Sequence, residues 1–159
     1  MTFSIRPLVA GAVALGIAAA SLGAHAQQAP KPEQLIKWRQ SAYQVIAWNS
    51  GRIKSSLESG YNKDEVLKAA TTIAAIANGG LGALFAPGTE TGKGWHDTTA
   101  KAEIWAAGSK VGERAADLAR ESNELVKVAS AGDAAAVKEQ YGKLTRTCKA
   151  CHDDYKAKD

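Results

Sequence analysis

The chain has 159 residues and a formal net charge of +4, with 20 Lys and Arg against 16 Asp and Glu. This length suits one domain. The absence of a Lys/Arg-rich run argues against nucleic-acid binding. The two cysteines exclude a disulfide-dense scaffold. Aromatic residues make up only 6% of the chain and alanine is abundant, which favours helices over sheets. Composition therefore predicts a small, soluble, helical protein.

Residues 1–26 show the three regions of a secretory signal peptide. Arg6 lies near the start, an apolar stretch follows, and residues 24–26 form an A-x-A cleavage site. A membrane anchor needs roughly 20 strongly apolar residues, whereas this stretch is short and rich in alanine and glycine. We therefore expect cleavage before Gln27, a periplasmic mature protein over 27–159 and no insertion into a membrane.

Apolar residues that recur at spacings of three and four predict four helices in the rest of the chain. Asn62, with Glu65 three residues later, is typical of a helix start. Gly132 is expected to end the third helix and Asp133 to cap the fourth. The predicted ranges are 35–58, 62–79 with a possible further turn to 85, 99–130 and 134–155.

The links between these helices are unequal in length. Residues 79–97 hold six of the fifteen glycines, together with Pro87, which is typical of a long connection. A connection of this length inside one domain is usually functional. Two short links and one long link predict an all-α fold, an antiparallel up-down-up-down four-helix bundle that forms a single domain.

The last predicted helix carries Cys148-Lys149-Ala150-Cys151-His152, and C-x-x-C-H is the attachment signature of c-type haem. Two thiols three residues apart on a helix can each add to one vinyl group of the same porphyrin. The adjacent imidazole of His152 can then bind the iron from the proximal side. We therefore expect one covalently bound haem c, held by both cysteines, with His152 as the axial iron ligand.

Three other interpretations of the motif remain open at this point. A thioredoxin-like redox pair usually follows a strand, and no strand is predicted here. A zinc site normally needs four protein ligands, and beyond the motif only His96 and carboxylates are available. A disulfide between Cys148 and Cys151 within a helix would be strained and would leave His152 without a role.

The residues available for the opposite side of the iron are few. The chain has one methionine, Met1, and three histidines, of which His25 also lies in the predicted leader. Apart from His152, the mature protein then keeps only His96, in the long connection. Methionine ligation is therefore excluded, and an open or weakly blocked sixth site is expected. The alternative is a six-coordinate, low-spin electron carrier with His96 or a lysine as the sixth ligand.

Several motifs accompany the predicted leader and the four helices. They are the C-K-A-C-H-D-x-Y helix, Lys31-Pro32-Glu33, Arg39-Gln40-Ser41-Ala42, Pro87-Gly88-Thr89-Glu90 and Glu103-Ile104-Trp105. Together they resemble the cytochrome c′ family, the class II c-type cytochromes. The resemblance implies the four-helix bundle again, and a bacterial periplasmic homodimer with five-coordinate haem that binds NO and CO and serves in electron transfer or NO handling. It implies a binding protein and not an enzyme, and it leaves the redox partner unidentified.

The resemblance also implies roles for individual side chains around the haem. Arg39 and Gln40 would lie by the propionates, and Tyr43 would take the distal position that other members fill with leucine or another bulky residue. The remaining assignments are Thr89 and Glu90 at the haem edge, Lys156 near the proximal imidazole, Cys148 and Cys151 as haem anchors and His152 as iron ligand.

Two features fall outside this resemblance. The stretch between Glu90 and Glu103, which contains Gly94-Trp95-His96, follows no family pattern. Trp38 and Trp48 on the first helix are candidates for dimer contacts.

Overall fold

The computed structural model describes residues 29–158, so the predicted signal peptide lies outside the described residues. Within this range the chain forms helices and two isolated β-bridges, without a β-sheet. No helix in residues 29–158 is long and apolar enough to cross a membrane. The four α-helices are α1 (Pro32–Ser59), α2 (Lys63–Asn78), α3 (Val111–Ala131) and α4 (Ala134–Tyr155), and two short 3-10 helices cover Leu81–Phe85 and Ala102–Trp105.

The helices pack in chain order as an antiparallel bundle, which confirms the predicted fold class. Helix α1 lies along α2, α2 along α3, and α3 along α4. Helices α1 and α4 approach each other much less. Tyr141 links these two helices, because its hydroxyl lies 2.9 Å from the Ser50 hydroxyl and donates to the Ser50 carbonyl oxygen at 3.0 Å. The part of α4 that follows Tyr141 carries both cysteines and His152.

Three of the four helices begin or end at the residues that the sequence indicates. The Asn62 side chain accepts a hydrogen bond from the Glu65 amide at 3.1 Å and starts α2. The Asp133 side chain accepts from the Ala135 amide at 2.9 Å and starts α4. Gly132 adopts φ 89° after α3, a left-handed conformation that suits glycine at a helix end.

The start of α3 was predicted wrongly. We expected it at Thr99, but it begins at Val111. The intervening residues pair with the end of α4, because the Lys101 amide donates to Tyr155 O at 2.9 Å and the Ala157 amide to Thr99 O at 2.8 Å. Gly108, at φ 80°, also interrupts the helical path. Tertiary contacts therefore override a periodic apolar pattern in this stretch.

The core lies between the four helices and is built mainly from aliphatic side chains. On α1 the buried apolar side chains are Ile36, Ile46 and Ile53, of which Ile36 and Ile53 are fully buried. Ile36 lies beneath Gly92 of the long connection, which therefore covers the first turns of α1. The other large, fully buried apolar side chains are Val66, Ile73, Leu125 and Val137, with Leu144 almost fully buried.

Candidate haem-binding site

The last turns of α4 carry both cysteines and His152. Cys148 and Cys151 are half-buried free thiols, and the Cys148 sulfur lies 3.6 Å from the Leu144 carbonyl oxygen. Burial raises the pKa of both thiols, and for Cys151 this outweighs the opposing effect of Arg114. Both are therefore protonated at neutral pH, three residues apart on one helix, the spacing at which two thioether bonds to one porphyrin form.

Tyr43 lies across from these thiols, on α1. Its pKa is raised to about 12, first by burial and then by the proximity of Cys151, against a lowering effect of Arg39. Its ring meets Phe85 edge-on, with centroids 6.3 Å apart. The phenol is therefore neutral and packed against Phe85. The resemblance implies a distal role for Tyr43, which stays a prediction.

His152 stands at the end of α4, next to Lys156. Partial burial lowers the pKa of the imidazole, and the charge of Lys156 lowers it further, while Asp153 raises it. Lys156 follows one turn later as the C-cap residue, and its amide donates to the His152 carbonyl at 3.0 Å. A neutral imidazole is the form that binds iron, so the surroundings of His152 favour the ligating form.

Arg39 is the buried cation of the site, with a relative exposure of 5%. Its Nη1 donates to Leu84 O at 3.1 Å and to Thr89 Oγ1 at 3.0 Å. Its Nη2 donates to Thr89 O at 3.1 Å and to Thr98 Oγ1 at 2.8 Å. All of these acceptors are neutral, and within residues 29–158 no carboxylate forms an ion pair with this guanidinium. A buried charge in such surroundings is stabilised further by an anion.

Thr89 and Glu90 follow the turn at Pro87 and Gly88. Thr89 is fully buried, and its hydroxyl donates to Ala86 O at 2.8 Å while it accepts from Arg39. The Oε2 atom of Glu90 is buried and finds no hydrogen-bond partner among the described residues. The two residues thus border the same region as Arg39, and Glu90 presents a buried acceptor that is not satisfied there.

Gln40 contacts a different part of the connection, the compact turn at residues 92–98, which we call the side loop. The loop is closed by the Thr98 amide, which donates to Gly92 O at 2.9 Å. Gln40 Oε1 accepts from the Trp95 amide at 2.7 Å, and Gln40 Nε2 donates to His96 O at 2.9 Å. Gln40 directly follows Arg39 in the sequence, but its side-chain amide forms hydrogen bonds with the side loop.

Sequence reasoning did not identify two residues that shape this site, Phe85 and Thr98. The Phe85 ring lies under the Arg39 guanidinium at 4.6 Å and contacts both Tyr43 and Trp105. Trp105 Nε1 in turn donates to Phe85 O at 2.8 Å. For Phe85, the signal that the sequence offered was an aromatic residue within a glycine-rich connection. Nothing in the sequence around Thr98 indicated its contact with Arg39.

The residues present fit a haem. Two free thiols at the correct spacing on α4 lie close to the bulky, neutral Tyr43 of α1. The buried Arg39 has hydrogen bonds to neutral oxygens but no paired carboxylate, which suits a porphyrin that carries two propionates.

Comparisons with known proteins agree with this assignment. The family model described as Cytochrome C′ matches residues 34–156. A cytochrome c′ from Rhodocyclus tenuis is 62% identical over 130 residues, which cover 81% of this chain and 98% of that protein. The crystal structure of cytochrome c′ from Thermochromatium tepidum is 44% identical, with a TM-score of 0.77 over 81% of this chain and 98% of that one. A second cytochrome c′ structure is 43% identical, with a TM-score of 0.78 over the same shares of the two chains.

Proposed function

The chain belongs to the cytochrome c′ family and carries covalently bound haem c, and from this premise we propose that it is a periplasmic, five-coordinate haem protein that binds NO and CO and transfers electrons. The haem iron supplies gas binding and one-electron chemistry. The observation that carries the proposal is the position of Tyr43, which faces both thiols with a neutral phenol.

On the proximal side we assign attachment to Cys148 and Cys151 and iron ligation to His152. The lowered pKa of His152 keeps its nitrogen lone pair available at neutral pH. Lys156, one turn later, contributes to that lowering and is assigned as the basic residue beside the proximal imidazole.

On the distal side we assign Tyr43 as a steric plug that admits only small ligands. A neutral tyrosine is a poor iron ligand but a good hydrogen-bond donor. The alternative sixth ligand, His96, is exposed, and its Nδ1 lies 2.9 Å from the Asp97 carbonyl oxygen within the side loop. These contacts favour five-coordinate iron over a six-coordinate carrier with His96 as the sixth ligand.

At the haem periphery we assign Arg39 to the propionates, with Thr89 and Glu90 beside them. The four hydrogen bonds of Arg39 hold its guanidinium within the pocket region before any anion is bound, which lowers the cost of binding one. The propionate role predicted for Gln40 stays a prediction. Both ends of its amide are engaged by the side loop, so we give Gln40 a positioning role next to Arg39.

Structures of other family members support the choice of ligands and assembly. A cytochrome c′ from Alcaligenes xylosoxidans, 29% identical with a TM-score of 0.72, has been solved as a ferrous variant with bound NO, and another variant has been solved with carbon monoxide. The 43% identical structure is described as having an unusual ligand-controlled dimer dissociation. We propose that this chain likewise binds both gases and forms a homodimer.

Export to the periplasm is proposed on the leader. The match to the Rhodocyclus tenuis protein covers 98% of that protein in 130 residues, close to the length expected after cleavage before Gln27. Mass measurement of protein recovered from the periplasm tests this directly. A mass that retains residues 1–26 would contradict the cleavage site.

Absorption spectra of the purified mature protein test the haem assignment. We expect ferric and ferrous spectra of high-spin, five-coordinate haem, and a shift of the ferrous spectrum on addition of CO. A low-spin spectrum that does not respond to CO would instead support the six-coordinate carrier. The His96→Ala variant then decides between the two, because only the six-coordinate alternative with His96 as the ligand predicts a change of spin state.

A further inference from the structure

The hydrogen bonds of Arg39 leave one of its hydrogens unused. A guanidinium carries five N–H groups, two on each Nη atom and one on Nε. Nη1 donates to Leu84 O and Thr89 Oγ1, and Nη2 donates to Thr89 O and Thr98 Oγ1. Within residues 29–158 the Nε hydrogen has no acceptor. An anion at this buried cation can therefore take one hydrogen bond from it, and a carboxylate, which accepts several, needs a second donor nearby.

The two threonines beside Arg39 differ in how their hydroxyl groups are used. Thr89 Oγ1 accepts from Arg39 and donates to Ala86 O at 2.8 Å, so its hydrogen is already engaged. Thr98 Oγ1 accepts twice, from Arg39 Nη2 at 2.8 Å and from the Ala100 amide at 3.2 Å. A hydroxyl group has two lone pairs and one hydrogen. Both lone pairs of Thr98 are therefore occupied, while its hydrogen has no acceptor in the part of the chain that the structure describes.

The side loop holds Thr98 in place. Thr98 is the last residue of the loop, and its amide closes the loop by donating to Gly92 O at 2.9 Å. The loop is fixed to α1 by Gln40, which accepts from the Trp95 amide and donates to His96 O. The Thr98 hydroxyl is thus positioned beside Arg39 before any ligand binds, which lowers the cost of binding one.

The surroundings of Thr98 favour a carboxylate as the acceptor of its hydrogen. Two N–H donors, one of them a guanidinium, withdraw charge from Thr98 Oγ1, and hydrogen bonds arranged in such a chain strengthen one another. Arg39 is buried, and no carboxylate among residues 29–158 pairs with it, so an anion would stabilise this charge. The haem propionates are the carboxylates that the proposed function brings to Arg39.

We propose that Thr98 donates its hydroxyl hydrogen to a haem propionate, beside the Nε hydrogen of Arg39, and that this bond raises the reduction potential of the haem. The negative charge of a propionate stabilises ferric over ferrous iron, and a hydrogen bond disperses that charge, so the donor favours the ferrous state. The inference rests on the proposed function, which places the haem periphery at Arg39. It also gives the side loop, which the family resemblance does not explain, the function of carrying Thr98 to the haem.

An equilibrium redox titration of the haem-loaded mature protein, followed by absorption at fixed pH, tests the proposal. Thr98→Val keeps the shape of the side chain and removes the hydroxyl. It should lower the ratio of ferrous to ferric haem at a given applied potential by about threefold or more, which corresponds to about 28 mV for one electron. Thr98→Ser keeps the hydroxyl and should stay near the wild-type potential. Thr71→Val, at an exposed position of α2, is the control and should leave the potential unchanged.

A comparison with Thr89 separates propionate binding from the support of Arg39. Thr89→Val also removes an acceptor of the guanidinium, but it removes no unused hydrogen, so it should lower the potential less than Thr98→Val. A wild-type potential in Thr98→Val would overturn the proposal. A loss in Thr98→Ser or in Thr89→Val as large as that in Thr98→Val would overturn it too, because the effect would then not come from the free hydrogen of Thr98.

The proposed function is read separately, from the absorption spectra taken before each titration. A low-spin wild-type spectrum that does not respond to CO would contradict the five-coordinate assignment. A five-coordinate spectrum that shifts with CO, together with an unchanged potential in Thr98→Val, would overturn the assignment of Thr98 alone.

Discussion

At the scale of single residues, α1 serves two parts of the site through two neighbouring side chains. Arg39 and Tyr43 lie one turn apart on the same side of the helix. The Phe85 ring contacts both of them, the guanidinium at 4.6 Å and the phenol ring at 6.3 Å. One aromatic side chain of the connection thereby packs against both the expected propionate-side residue and the expected distal residue.

Tyr43 is expected to control access to the iron by its size. Tyr43→Ala should raise the rate of CO association at least about tenfold, which corresponds to about 1.4 kcal/mol of barrier, when followed by flash photolysis. Tyr43→Phe is the matched control, since it keeps the ring and removes only the hydroxyl, and it should bind CO at nearly the wild-type rate. An unchanged rate in Tyr43→Ala would place this side chain away from the iron.

Arg39 is expected to stabilise the fold as well as the haem periphery. Arg39→Met keeps the aliphatic stem but removes the hydrogen bonds to Leu84 O, Thr89 and Thr98. Because buried acceptors without a donor are costly, the unfolding free energy in urea should fall by about 2–4 kcal/mol.

The control for this variant is Arg120→Met on α3. Arg120 is an exposed arginine that pairs with Asp117 and with the partly buried Glu121, and its own guanidinium stays in contact with solvent. Removing it should leave the urea midpoint close to the wild-type value. Equal losses in Arg39→Met and Arg120→Met would contradict a special role for the buried guanidinium.

At the scale of elements, the side loop depends on a close approach that only glycine allows. A Cβ atom at Gly94 would lie 2.5 Å from Gln40 Oε1 and 2.8 Å from Lys37 Cα, and the helix backbone cannot move aside. Gly94→Ala should therefore lift the side loop from α1 and cost about 1–3 kcal/mol. Faster hydrogen exchange at the Trp95 amide, which donates to Gln40, is the measurement.

Gly82→Ala is the matched control for the loop variant. Nothing lies within 4 Å of a Cβ atom at Gly82, so this substitution should leave both stability and exchange at Trp95 unchanged. Exchange at Trp95 that stays slow in Gly94→Ala would show that the loop has room for the added methyl group.

Element boundaries that are set by local chemistry could be predicted from the sequence. The caps at Asn62 and Asp133 involve residues two or three apart, so they can be read directly from the chain. The start of α3 and the side loop depend on partners far away in sequence, such as Tyr155 for Lys101 and Gln40 for Trp95. Apolar periodicity carries no information on such pairings, which is why the predicted start at Thr99 was wrong.

The same distinction holds for the candidate site. The thiols and imidazole of α4 share one helix and form a motif, so their proximity was predictable. The contact of Arg39 with Thr89 and Thr98 joins residues 50 and 59 positions apart. The resemblance indicated Thr89 but not Thr98, because no residue pattern marks an acceptor that a distant loop brings to a buried arginine.

At the scale of the whole molecule, α3 and α4 are joined by a polar contact as well as by the core. The buried Gln140 of α4 donates to Glu121 of α3, at 2.8 Å to the carboxylate and 3.1 Å to the carbonyl. This hydrogen bond is the main cause that holds the pKa of Glu121 below its ordinary value, with a further contribution from Arg120. Lys149 lowers the pKa of Asp153 through their ion pair, and Lys143 lowers that of Glu139 in the same way.

These lowered pKa values predict that acid destabilises the bundle. A carboxyl with a lower pKa in the folded state binds fewer protons there than in the unfolded chain, so stability falls as pH falls. The contribution is complete above the pKa of the unfolded carboxyl and is lost as pH falls through the folded-state pKa.

In Gln140→Leu, which replaces a buried amide by an apolar side chain of similar size, the loss of unfolding free energy between pH 7 and the acid range should be smaller than in the wild type. Glu121→Gln should flatten the dependence too, and the double variant should be no flatter than Glu121→Gln alone, because the same carboxyl is removed. Urea titrations across this pH range measure the effect, and a wild-type acid dependence in Gln140→Leu would show that this hydrogen bond does not hold the carboxyl.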